Sequence, residues 1–106
     1  MMTRTQFLLL KLSEECVEVA QRAAKQMQFG RNEIQKDQFL TNSERLAGEL
    51  ADLAAIINLL EKEKELVWIG PAEWNKRMDE KYKKVEKYLI YSQSLGMVES
   101  AWPDLT

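Results

Sequence analysis

The feature that most constrains this chain is residues 46–60, LAGELADLAAIINLL, whose apolar surface is interrupted only by Glu49, Asp52 and Asn58. A helix apolar on every side is normally buried, and a buried carboxylate is too costly to persist ionised unless it is paired or coordinates a metal. Two such acids need compensation. Salt bridges to Lys or Arg on neighbouring helices would supply it, and so would a cation; the residues alone leave both readings open.

A second acidic cluster, Glu14, Glu15 and Glu18, lies in KLSEECVEVAQR (residues 11–22). At about 100° per residue, Glu15 and Glu18 sit about 60° apart on one helix face, and Glu49 and Asp52 repeat that spacing. Two facing pairs offer four carboxylates. Hard divalent cations take oxygen ligands, and Mg²⁺ in particular is held by a few carboxylates together with substrate phosphates and water. On the same projection Lys11, Glu15, Glu18, Arg22 and Lys25 fall within an arc of about 80°, so metal and phosphate would both dock along one stripe. The plain alternative is i,i+3 and i,i+4 charge pairing on a solvated face, worth about 0.2–0.5 kcal/mol per pair.

Composition narrows the chemistry further. The 106 residues make one modest domain, expected over 1–96 with a tail at 97–106, and 45% hydrophobic with 30% charged residues describes an ordinary folded protein. A net charge of −2, with no basic tail or finger spacing, argues against nucleic acid as a partner. The apolar run 7–10 is far too short to span a bilayer, and no signal peptide is evident, so a membrane role is not expected and a cytoplasmic location is. The single cysteine, Cys16, fits a reducing compartment and reads as a small core residue. The absence of histidine removes His-dependent triads and most zinc and di-iron ligand sets, which leaves carboxylates with magnesium-like ions.

Taken in order, Thr3 or Thr5 caps a first helix running to about Met27, with Gly30 just beyond its end. Leu9, Leu12, Cys16, Val19, Ala23 and Met27 form its main apolar stripe; Leu10, Val17, Ala20 and Ala24 widen it to nearly half the circumference. That width implies a second packing surface and a homo-oligomer. Residues 29–41 lose helical periodicity and read as a long loop with apolar anchors at Ile34, Phe39 and Leu40, either a lid or a plain connector. Asn42 or Ser43 caps a second helix extending to about Lys64, with solvated last turns. Pro71 starts a third that runs to about Ser94 with Met78, Tyr82, Val85 and Leu89 inward, and Gly96 stops it. Trp68 and Trp74 read mainly as core, although either ring would serve to stack on a base.

The sequence Glu14-Glu15-Cys16-Val17-Glu18, followed by Glu49-Leu50-Ala51-Asp52, resembles the EExxE and ExxD signature of the MazG-like, all-α nucleoside triphosphate pyrophosphohydrolases. The likeness covers residues 5–60, with 83–89 similar to the charged third helix of short members. Thirty residues separate Glu18 from Glu49, more than is usual in that family. The resemblance implies an all-α bundle of three main helices, the two acid-bearing ones antiparallel, completed as a homodimer or a dimer of dimers. It further implies hydrolysis of an NTP or dNTP to the monophosphate and pyrophosphate, in a bacterial or phage setting. Glu15, Glu18, Glu49 and Asp52 would hold Mg²⁺ or Mn²⁺, with Glu14 an additional ligand or a supporting acid and one of the motif carboxylates acting as base. Lys11, Arg22 and Lys25 are the phosphate candidates from the stripe, and Phe7 and Trp68 the base candidates. A non-catalytic assembly module or a nucleotide sensor is the alternative.

Overall fold

The computed structural model describes residues 1–99. They form three α-helices: α1 (Arg4–Phe29), α2 (Asn42–Lys62) and α3 (Pro71–Ser94), with no strand among the described residues. The fold is all-α, as expected. The chain divides into two units, Met1–Trp68 and Ile69–Thr106, the first holding α1 and α2 and the second α3.

Both helices of the first unit begin at the same device. Thr3 accepts from the Gln6 backbone N–H at 3.1 Å while the Gln6 side chain accepts from the Thr3 N–H at 2.9 Å. Thr41 and Glu44 repeat that reciprocal pair, both bonds at 3.1 Å. Each box satisfies two donors that a helix start would otherwise leave open. The cap of α2 is therefore Thr41 rather than Asn42 or Ser43. The spacing Thr-x-x-Glu carried that signal. α1 runs two residues beyond Met27 and ends at Gly30, whose φ of 90° lies where a side chain is disfavoured. α2 ends at Lys62, two residues short of the expected Lys64.

The two helices are antiparallel. Arg4 pairs with Glu63 at 2.9 Å, and Thr5 donates to Glu65 at 3.3 Å, so the start of α1 meets the end of α2. At the other end the Asn42 side chain donates to the Gly30 carbonyl at 2.8 Å. The residues of reduced exposure show how they meet. On α1 they are Thr5, Leu8, Lys11, Leu12, Glu15, Val19, Arg22, Lys25 and Gln26; on α2, Asn42, Arg45, Leu46, Glu49, Leu53, Ile56, Ile57 and Leu60, followed by the cap residue Glu63. Apart from Lys11 and Lys25 on α1 and Arg45 and Ile57 on α2, which lie beside the seam, both sets step by alternating threes and fours, the repeat that keeps one seam facing a partner helix.

This phase corrects the expected apolar stripe of α1. Leu12 and Val19 belong to the seam, whereas Leu9, Cys16, Ala23 and Met27 are exposed, and Leu8 is the buried residue. Cys16 is thus no core residue. Nor is α2 buried all round: Leu60 and Asn42 are buried, while Leu50 and Leu59 are exposed. In α3, Met78, Tyr82 and Val85 are exposed and Leu89 is half-buried, so among the described residues the inward stripe expected there is not buried. Trp68 and Trp74, read as core, are each more than 40% exposed. For α1 and α2 the physical reason is the same. Two helices shield only one face each.

The loop between α1 and α2 is lashed to the start of α2. Asn42 is 1% exposed; its backbone N–H donates to the Glu33 carbonyl at 3.0 Å and its side chain to Glu33 at 3.2 Å. Ser43 N–H reaches the Arg31 carbonyl at 3.1 Å and Arg45 the Gln35 side chain at 2.8 Å. Polar anchors hold this segment. Ile34, Phe39 and Leu40, expected to do so, are exposed.

α3 starts at Pro71, as its fixed φ favours, and Gly96 at φ 74° closes the turn beyond it. The expected tail, 97–106, lies outside the described residues from 100 onward.

Candidate functional site

The seam brings Glu15 and Glu18 of α1 to Glu49 of α2, with one carboxylate oxygen from each lying within 4.8 Å of the others. Glu15 and Glu49 occupy seam positions and are half-buried; Glu18, three residues on from Glu15, is exposed at the seam's edge. Oε2 of Glu15 and Oε2 of Glu49 are enclosed and have no hydrogen-bond partner. Buried polar atoms are ordinarily satisfied, so orphaned oxygens on two facing carboxylates require a reason.

Their electrostatics follow from that crowding. Burial, then the charge of Glu18, holds the Glu15 carboxyl above its ordinary value of 4.5. Burial, then the nearness of the Glu18 carboxylate, does the same for Glu49, while the Arg22 guanidinium acts in the opposite direction. Asp52 adds its charge to both. A divalent cation would reverse this balance by giving the clustered charge a counterion.

The remaining candidates are distributed around this cluster. Asp52 is exposed on α2 one turn beyond Glu49 and is not among the three converging carboxylates. Glu14 accepts from Lys11 Nζ at 3.0 Å and borders a shallow concavity with Ser13, Val17, Glu18 and Gln21. Lys11 Nζ also lies 5.4 Å from the centre of the Phe7 ring, and Lys25 Nζ 5.6 Å from that of Phe29. At 1.5 Å per residue, Phe7 lies about 12 Å and Lys25 about 15 Å along α1 from Glu15, in opposite directions. Arg22 sits in the seam, half-buried, with Nη1 enclosed and unpartnered. Trp68 is 45% exposed at the end of the connector after α2.

Two residues absent from the expected site belong to the same stretch of seam. Gln26 Oε1 and Asn42 Oδ1 are enclosed acceptors without a donor. Their signal was the three-four spacing, which places polar side chains where a helix pair usually buries aliphatic ones.

Three converging carboxylates, two of which also carry an unpartnered oxygen, are of the donor type that a hard divalent cation such as Mg²⁺ or Mn²⁺ takes. No helix among the described residues is long and apolar enough to cross a membrane. Set against known protein families, characterised proteins and solved structures, the chain matches none.

Proposed function

We propose that this chain is a metal-dependent nucleoside triphosphate pyrophosphohydrolase of the MazG-like, all-α kind, converting an NTP or dNTP to its monophosphate and pyrophosphate. The observation that carries the reading is the convergence of Glu15, Glu18 and Glu49 with two enclosed oxygens left without partners. Carboxylates so crowded repel one another, and a cation removes that penalty. Glu15, Glu18 and Glu49 would hold Mg²⁺ or Mn²⁺, with Asp52 completing the set as the order EExxE then ExxD suggests.

When bound, such an ion supplies charge neutralisation at the triphosphate oxygens and activation of a water for attack on the α-phosphorus. The chain's own residues do the rest. A motif carboxylate takes the proton of the attacking water. Lys11 and Lys25, on either side of the acids along α1, serve the charge of the flanking phosphates, and Phe7 beneath Lys11 offers a face for the base. The exposed apolar surface of α1, with Leu9 at 46%, Leu10 at 45% and Val17 at 56%, supports a homodimer or a dimer of dimers, because apolar surface of this extent marks an interface.

That same surface favours a second reading, a non-catalytic helical assembly module. One assay separates the two. Purified chain with Mg²⁺ or Mn²⁺ and a panel of NTPs and dNTPs should release pyrophosphate and monophosphate; no release with any of them, from a protein that sediments as a defined oligomer, leaves the assembly module standing.

A further inference from the structure

The residue that follows a seam residue lies about 100° further round its helix. From Leu8 to Gln26 on α1 the followers are Leu9, Ser13, Cys16, Ala20, Ala23 and Met27, all exposed. From Asn42 to Ile56 on α2 they are Ser43, Ala47, Leu50, Ala54 and Ile57, of which only Ile57 is half-buried. None carries a charge. The residues that precede the seam positions are of the other kind and include Lys11, Glu14, Glu18 and Lys25 on α1, with Arg45 and Asp52 on α2. A two-fold axis perpendicular to the plane of an antiparallel pair exchanges the helices and leaves each side of the pair on itself. Both sets of followers therefore share one side of the hairpin, and both sets of preceding residues share the other. A concavity that Ala23 and Met27 of α1 line together with Leu46 of α2 agrees with that placement. The hairpin thus has one uncharged side and one acid-bearing side.

We infer that the uncharged side is where a second copy of this chain docks, hairpin against hairpin about a two-fold axis, with the acid-bearing sides turned outward. From Leu9 to Met27 the side is about 27 Å long, and two helix axes 8–10 Å apart make it about 19 Å wide. Its footprint is about 500 Å², a patch of the size that marks a contact site on a soluble protein. Two such footprints bury about 1,000 Å², where specific interfaces begin. Bulk is distributed to suit a copy. Leu9 and Ile57 lie toward the end where the start of α1 meets the end of α2, Ala20, Ala23 and Ala47 lie toward the other, and Cys16 falls between. A two-fold axis sets the bulky end of one hairpin on the small end of the other, as an isologous contact requires, and brings both Cys16 residues close to the axis. A different protein would be selected by charge complementarity, and this side offers no charge. Leu8 and Leu60 are the only buried apolar residues among those described, so apolar burial is what the hairpin lacks and a copy supplies. This gives the homodimer of the proposed function a face and an orientation and rests on that part of it; it needs neither the metal nor the reaction.

Sedimentation of the full-length wild type at low micromolar concentration should show a dimer. A bis-maleimide spanning about 10 Å should join the two chains through Cys16, the single cysteine. Ala20→Glu and Leu50→Glu each put a charge into the contact twice and should weaken dimerisation at least about 100-fold. Gln21→Glu, which precedes a seam residue, should leave it unchanged. Should the glutamate variants on the uncharged side prove unfolded, the wild-type cross-link decides. The inference is overturned if wild type sediments as a monomer, if Ala20→Glu and Leu50→Glu dimerise as tightly as wild type, or if the dimer forms and the maleimide does not join it. A dimer that Gln21→Glu disrupts and Ala20→Glu does not would move the contact to the other side and overturn it as well. Pyrophosphate release, read on the same samples, keeps the two proposals apart. A monomer that turns over nucleotide overturns this inference and leaves the reaction standing; a cross-linked dimer without turnover supports this inference and counts against the reaction.

Discussion

The two halves of the α1–α2 seam are built on opposite plans. Where the start of α1 meets the end of α2, the seam holds Leu8, Leu12, Ile56 and Leu60, with Leu8 and Leu60 buried. The other half sets Glu15, Arg22, Gln26, Asn42 and Glu49 among Val19 and Leu46, and every enclosed side-chain oxygen or nitrogen lacking a partner, among the described residues, belongs to one of those five polar residues. One geometry serves both halves. The apolar half contributes stability through burial, at about 1.5–3 kcal/mol for each fully enclosed Leu. The polar half gives some of that back, and proteins retain such arrangements at functional sites more than elsewhere.

The comparison breaks most sharply on turnover. Glu15→Gln and Glu49→Gln should each lower metal-dependent pyrophosphate release by more than about 100-fold. In EDTA the same variants should melt at or above the wild-type temperature, since each removes a repelled charge. Melting well below wild type would mean that these acids are structural ion-pair partners, and that the two halves do not differ in purpose.

Leu60→Ala should have the largest effect on stability, about 2–5 kcal/mol, because it opens a cavity at a residue only 2% exposed. Urea unfolding reads it. A loss below about 1 kcal/mol would show that the apolar half is not where the pair is held.

The pH dependence without metal distinguishes the halves again. Carboxyls held above 4.5 in the folded chain, as Glu15 and Glu49 are, contribute stability that is present below the unfolded value and lost as pH rises through the folded one. In EDTA the melting temperature should therefore rise as pH is lowered from 7 toward 4.5. Glu44 acts with the opposite sign. Its hydrogen bonds at Thr41 hold its pKa below the ordinary value, so its contribution persists through that range and is lost only at lower pH. With saturating Mg²⁺ the trend should invert, as protons displace the ion. A flat profile in both conditions would detach the carboxylates from the energetics of the seam.

The smallest effect sharpens a boundary of the polar half. Thr41→Ala removes the acceptor of the α2 capping box and should cost about 1 kcal/mol by thermal or urea unfolding, without changing metal affinity. A change in metal affinity would show that the start of α2 and the acid cluster are mechanically joined.

The sequence by itself determined the three helices, since caps, Pro71 and the glycines at 30 and 96 act over one or two turns and need no partner. It also placed Glu15 with Glu18, and Glu49 near Asp52, because spacing along one helix is a local property. Tertiary structure decided the phase of the seam. Apolar residues alone pointed to Leu9, Cys16 and Ala23, while the actual seam runs through Thr5, Glu15, Arg22 and Gln26, polar residues that no count of hydrophobic side chains registers. It also set Asp52 outside the converging trio and turned Glu14 toward Lys11. A helix projection gives the angle of each residue about its own axis; which angle faces a neighbour depends on the energy of the pair, and in this chain that energy is concentrated at one end of the seam.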